Sequence, residues 1–154
     1  MIEMRIDTNA ADIAAAFGGR IENLELALAK RLDQLDAELQ RRVVENLQGP
    51  ILHQRTGKAA RSVEMIPATI SDTSIEGSVQ AGGGTAYYLR FQEDGTAAYQ
   101  IVPNRAKVLA FEIGGKTIFS KRVQHPGLPA RRPVGQTFDA MRDEIIAALQ
   151  AVTQ

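Results

Sequence analysis

The stretch "AFEIGGKTIFSKRV", Ala110 to Val123, admits two readings with opposite consequences for the fold. As a phosphate-binding loop, Gly115-Lys116-Thr117 would close the Walker A pattern and predict strand, loop and helix around a nucleotide. That pattern requires a glycine at the position Ala110 occupies. It also requires a helix after the loop, so that backbone N–H groups converge on the phosphates. Instead, Leu109, Phe111 and Ile113 alternate with their neighbours before the glycines, and Thr117, Phe119, Lys121 and Val123 do so after them. Period two on both sides of Gly114-Gly115 predicts a β-hairpin, because glycine supplies the positive φ that a tight turn requires. The expectation is therefore antiparallel strands and no bound nucleotide. "GGGTAYY" (Gly82 to Tyr88) has a strand before its glycines but no Lys-Ser/Thr, and so carries only a weak signal for anion binding.

Working outward, "YQIVP" (Tyr99 to Pro103) is a further β segment. Val63 and Met65, then Ile75, Gly77, Val79 and Ala81, predict an earlier hairpin about the turn "SDT". Between these hairpins "TAYYLRFQEDGT" reads as one or two helical turns ending at Gly95, with Tyr87, Tyr88 and Phe91 as core aromatics rather than base-stacking ones. Two amphipathic helices bracket the strands. Ile21, Leu24, Leu28, Leu32, Leu35, Leu39, Val43 and Leu47 recur every three or four residues, and Gly49-Pro50 ends that helix near Gln48. Val134, Phe138, Met141, Ile145, Leu149 and Val152 repeat the spacing, with Pro133 suited to the first helical position.

The predicted class is α+β: a long N-terminal helix and a C-terminal helix packed on a mainly antiparallel sheet, in a single domain over residues 1–154. Leu28, Leu35, Val43, Phe138, Ile145 and Leu149 are its expected core. "MIEMRI" alternates as a short strand would, and Gly18-Gly19 is read as a break, making residues 1–20 an extended N-terminal arm.

Composition narrows the chemistry. The chain has 154 residues, no cysteine and two histidines, His53 and His125, so thiolate and all-histidine metal sites are excluded. No apolar run approaches the ~20 residues of a membrane span and no signal-peptide order is present, so a soluble intracellular protein without membrane association is expected. No catalytic constellation emerges: His125 precedes Pro-Gly in an extended segment, and the adjacent carboxylates of Glu93 and Asp94 diverge in most backbones. Neither a catalytic residue, a cofactor nor a metal is assigned.

The net charge is zero, yet its distribution is uneven. Arg105, Lys107, Lys116, Lys121, Arg122, Arg131 and Arg132 face only Glu112 between Gln100 and Pro133, whereas Glu64, Asp72, Glu76, Glu93 and Asp94 face only Arg90 between Val63 and Tyr99. Such segregation suits the pairing of one surface with another on a neighbouring copy, as well as ordinary solvated faces.

Four ordered stretches carry a resemblance: "RTGKAARSV" (Arg55 to Val63), "YYLRFQEDGT" (Tyr87 to Thr96), "FSKRVQHPG" (Phe119 to Gly127) and "PARRPVGQTFDAM" (Pro129 to Met141). Together they resemble the neck and tail-completion proteins of long-tailed bacteriophages, a family of minor tail and virion morphogenesis proteins. In that family a long helix leads through Thr/Ser-Gly-Lys into a first strand, followed by Tyr-Ala-X-X-X-Glu-X-Gly-Thr and a proline-rich approach to a last helix. This chain has Leu89 where the family has Ala, Asp94 where an aromatic is usual, and Pro133-Val134 for Pro-Phe.

The resemblance implies a non-enzymatic ring, with six identical subunits, at the head-tail junction or the upper end of the tail, assembled in the host cytoplasm and retained in the virion. Its partners would be neighbouring neck and tail-tube proteins, with DNA passing through the channel without sequence-specific binding. Tail completion, tail termination and head closure all remain open. On this reading Glu76, Glu93, Asp94, Arg131 and Arg132 are candidate subunit-interface residues, and Lys107, Lys116, Lys121 and Arg122 candidate channel or DNA-facing residues. A second reading is a small nucleic-acid-binding domain using the basic stretch 105–132. An enzyme not recognised from its motifs is a third.

Overall fold

The computed structural model describes residues 10–49, 51–52, 56–71 and 73–153, with side chains from Phe17 onward. Its elements run α1 (Ala10–Gln48), α2 (Lys58–Arg61), β1 (Glu64–Ile70), β2 (Ile75–Gln80), a 3-10 turn (Gly84–Ala86), α3 (Leu89–Asp94), β3 (Tyr99–Ile101), β4 (Leu109–Ile113), β5 (Lys116–Ser120), β6 (Val123–His125) and α4 (Pro133–Gln150). The α+β class is as expected. The "MIEMRI" strand and His53 lie outside the described residues.

Helix α1 is 39 residues long, about 58 Å at 1.5 Å per residue. It passes straight through Gly18-Gly19, which corrects the expected break and extended arm over the described part, residues 10–20. Each glycine costs about 1 kcal/mol against alanine, but the alanine-rich run before it and the strong stripe after it carry propagation across. The stripe itself is only partly covered. Ala29, Leu35, Leu39, Val43 and Leu47 are buried, while Phe17, Ile21 and Leu24 are exposed. The C-terminal half of α1 therefore forms the spine of the core, and Phe17, Ile21 and Leu24 present an apolar face to solvent.

The strands make three separate two-stranded antiparallel ribbons, β1–β2, β3–β6 and β4–β5, rather than one sheet. Only β1–β2 packs extensively on α1, against which α4 also lies. In β1 the register slips between Ile66 and Thr69, a bulge around Pro67. Proline cannot donate to the ladder. The next amide, Ala68 N, is satisfied by Asp33 Oδ1 of α1 at 2.7 Å, which ties the bulge to the spine.

The β4–β5 turn confirms the hairpin: Gly114 and Gly115 both have positive φ, 58° and 78°, as a two-residue I′ turn demands. The expected second strand, however, ends early. Arg122 N donates to Ser120 Oγ at 3.3 Å and Ser120 Oγ donates to Arg122 O, a local turn that breaks the ladder. Val123 then joins a different ribbon opposite Ile101, and His125 stacks on Tyr99 at 4.8 Å between ring centres.

The core gathers Leu39, Val43, Leu47, Ala60, Val63, Leu89 and Met141, with Val134 and Ile145 packed against it. Of the expected core, Leu35 and Val43 are buried and Leu28, Ile145 and Leu149 half-buried. Phe138 is not core: it is 47% exposed. Between the helices Asn46 Nδ2 donates to Thr137 Oγ1 at 2.7 Å, and this buried hydroxyl donates to Pro133 O. Arg42 bridges Glu38 at 2.6 Å and Glu144 at 3.1 Å.

Candidate assembly surfaces

The stretches that read as punctuation in the sequence meet at the start of α4. Helix α4 has no side-chain cap of its own, and its N-cap residue, Arg132, sits in the left-handed region at φ 46°, ψ 49°. Helix α3 supplies what is missing. Glu93 accepts from Val134 N at 3.0 Å and Gly135 N at 2.8 Å, while Gln92 O accepts from Arg131 N at 2.8 Å. A carboxylate at a helix N-terminus satisfies free N–H groups and complements the helix dipole. Thr96 N and Leu128 O pair at 2.8 Å, and Leu128 N returns the bond to Thr96 O at 3.1 Å. The approach is so close that a Cβ on Gly127 would lie 2.2 Å from Thr96 O.

Glu93 is thus engaged inside the chain. Glu93→Ala is expected to cost about 1–2 kcal/mol, the range of a lost helix cap, with Glu93→Gln retaining part of it. Urea melts of the two variants check this, and a cost for Glu93→Ala within experimental error sinks the capping assignment.

The other candidate residues divide between two places. Arg132 pairs with Asp139 at 3.0 Å, Asp94 lies 3.8 Å from Arg90, and the Arg131 side chain is exposed. Both Glu93 and Arg132 border Gly135, so acid and base meet at one junction rather than dividing between two sides. Glu76 sits apart on β2, accepting from Ser74 Oγ at 2.8 Å. Lys116, Lys121 and Arg122 lie on or beside β5, and Lys107 in the bend before β4; all four are exposed and form no ion pair with another described residue.

The aromatic cluster also differs from expectation. Tyr87, Tyr88 and Phe91 are exposed, because the 3-10 turn and α3 turn Ala86 and Leu89 inward. Small and aliphatic side chains fit the tight approach to the core, and Tyr87 and Tyr88 border a cavity of about 860 Å3 that Lys58, Gln92 and Arg131 also line.

One buried group escaped the sequence reading. Asp36 of α1 is 7% exposed, and its Oδ2 has no hydrogen-bond partner. It lies four residues after Leu32 and three before Leu39, a carboxylate set inside the apolar stripe. That placement was the available signal. Gly77 of β2 makes the room: a Cβ there would lie 2.2 Å from Asp36 Oδ2. Burial, and then the neighbouring charge of Asp33, push the Asp36 carboxyl above the ordinary aspartate range.

A raised folded-state pKa contributes stability that is complete below the unfolded value and is lost as pH rises through the folded one. Near neutral pH the wild-type chain therefore carries a cost for this burial that it does not carry in acid. Asp36→Asn is expected to melt no lower than wild type at pH 7, and to lose relative advantage as pH falls toward 4. A clear loss of stability at pH 7, at a dilution where the chain sediments as a monomer, would show that the carboxylate has a partner within the subunit.

Among the described residues no three His, Asp or Glu side chains gather as a metal site requires, and no helix is long and apolar enough to cross a membrane. Comparison with protein-family models, curated proteins and solved structures finds no match for the chain.

Proposed function

We propose that this chain is a structural virion subunit of a long-tailed bacteriophage, forming a ring at the head-tail junction or the upper end of the tail. The reading starts from the ordered resemblance of residues 55–141. The observation that carries it further is the amount of side-chain chemistry with no use inside the subunit. The β4–β5 ribbon packs extensively on no helix, yet exposes Ile113, Ile118 and Phe119 beside cations that form no ion pair with another described residue. The N-terminal half of α1 likewise exposes Phe17, Ile21 and Leu24. Large apolar side chains left exposed on both faces of a ribbon and along a helix are what contact with other chains would cover.

In a ring, each subunit offers two different surfaces to its two neighbours, and a closed set of such contacts surrounds an axial channel. Lys107, Lys116, Lys121 and Arg122 are then candidates for the channel wall, where positive charge on a mobile duplex needs no base readout. Disrupting the gene in a phage genome that carries it tests the proposal. The expected result is unjoined heads and tails, or tails with faulty upper ends, restored by the gene supplied in trans. Normal infectious particles from the disrupted genome would refute it. The nucleic-acid-binding alternative predicts duplex affinity of the isolated chain that falls steeply with salt, because phosphate contacts displace counterions.

A further inference from the structure

Asp36 is the only buried charged side chain among the described residues, and it lies on the floor of an open groove of about 550 Å3 between α1, β2, α3 and α4. The charged groups at the groove's rim are already matched: Glu93 with the α4 amides, Arg132 with Asp139, and Arg90 with Asp94. One anion is left over. The walls around it are apolar, formed by Leu39, Val79, Val134 and Phe138. Burying an unpaired carboxylate is costly unless a cation reaches it, and Gly77 leaves the space that keeps it there. The complement of such a groove is an apolar arm carrying a single cation.

The chain has one. In the β4–β5 ribbon Phe111 pairs with Ile118 and Ile113 with Lys116, and partners in register point to the same face of a ribbon. One face is therefore an apolar stripe that ends at the turn in Lys116, which forms no ion pair with another described residue. We propose that the β4–β5 tip of a second copy of this chain docks in the groove, with its Lys116 ammonium paired to Asp36. The terminal torsion of an aspartate is broad and two-fold, so either carboxylate oxygen can turn to the entering amine. Tip and groove are different surfaces, so the contact is head-to-tail and propagates from subunit to subunit until it closes. This deepens the ring reading and rests on it. It also moves Lys116 from the channel wall to the subunit interface.

The absence of cysteine makes a disulfide trap clean, since each introduced thiol is unique. Full-length Arg90→Cys, with its thiol at the groove rim, is mixed with full-length Ile118→Cys, whose thiol shares the Lys116 face. Thr117→Cys, on the opposite face, replaces the latter as control. Under mild oxidation the Arg90–Ile118 heterodimer is expected at least about tenfold faster than the Arg90–Thr117 one. Adding Asp36→Asn to the first chain, or Lys116→Met to the second, should bring the rate down to the control, and both together should do no more than either alone. Lys116 is exposed, so its variant reports even where Asp36→Asn perturbs the groove. Equal trapping at positions 117 and 118, or rates indifferent to both charge removals, overturns the docking. Sedimentation of the unaltered chain separates the two ideas: oligomers that persist without site-selective trapping refute this contact and leave ring assembly standing. The genetic test above judges ring assembly independently.

Discussion

Gly95→Ala is expected to destabilise the chain by about 3 kcal/mol or more, a large part of the 5–15 kcal/mol that holds an ordinary domain together. Two costs combine. Gly95 lies at φ 73°, ψ −176°, a region essentially closed to residues with a Cβ and costing about 1–3 kcal/mol to occupy. The added Cβ would also lie 2.6 Å from Leu128 O and 2.7 Å from Ala130 N. Both obstacles are backbone, so no side chain can swing aside. Relief requires parting Thr96 from Leu128, and with them the segment that delivers Arg131 and Arg132 to α3. Gly84→Ala is the control: φ is also positive there, at 56°, but nothing approaches within 4 Å, so about 1–2 kcal/mol of backbone strain is all that is expected. Urea denaturation of the two variants measures the difference. If Gly95→Ala costs no more than Gly84→Ala, the Thr96–Leu128 approach is not made.

That pair of glycines shows which parts of the fold a sequence can disclose. The β4–β5 turn was legible because alternation on both flanks and two adjacent glycines state the same thing, and both glycines have the left-handed φ the turn requires. The helix of residues 21–48 and the Pro133 start of α4 were legible through period and punctuation in the same way. Gly18-Gly19 misled because punctuation there competes with cooperative propagation along a helix already formed on both sides.

Burial was harder to read than secondary structure. A hydrophobic period reports that a face exists, not that something covers it. Phe17, Ile21 and Leu24 continue the stripe of Leu35 and Val43 yet remain exposed, because the β1–β2 ribbon and α4 cover only the C-terminal part of α1. The candidate site was the least legible. Charge alone points Glu93 toward an interface; its task of capping α4 depends on a contact across more than forty residues of sequence. Asp36 is legible only in part: its place inside the apolar stripe marks it, but an acid on a long helix is ordinarily solvated, and the packing of Gly77 against it is set by the fold.

The same distinction between a stripe and its cover sets apart two apolar residues of α4. Phe138 and Met141 are three positions apart, which places them about 60° from each other around the helix, and both belong to the period that identified α4. Met141 is 0% exposed and sits in the core with Leu39, Val43 and Leu89. Phe138 stands at the edge of that contact, in the wall of the groove above Asp36. Met141→Ala removes contacts on every side and leaves a cavity that α1 and α3, pinned by the Asn46–Thr137 bond and the Glu93 cap, cannot fully close. Its expected cost is about 2–5 kcal/mol. Phe138→Ala, although it deletes the larger side chain, is expected to cost less than about 1 kcal/mol in the isolated subunit, because much of the ring is already in water. Thermal and urea melts of the purified variants decide between this placement and its alternative. A Phe138→Ala loss equal to that of Met141→Ala would mean that α4 is turned so that both side chains enter the core, closing the groove over Asp36 and removing the surface on which the docking rests.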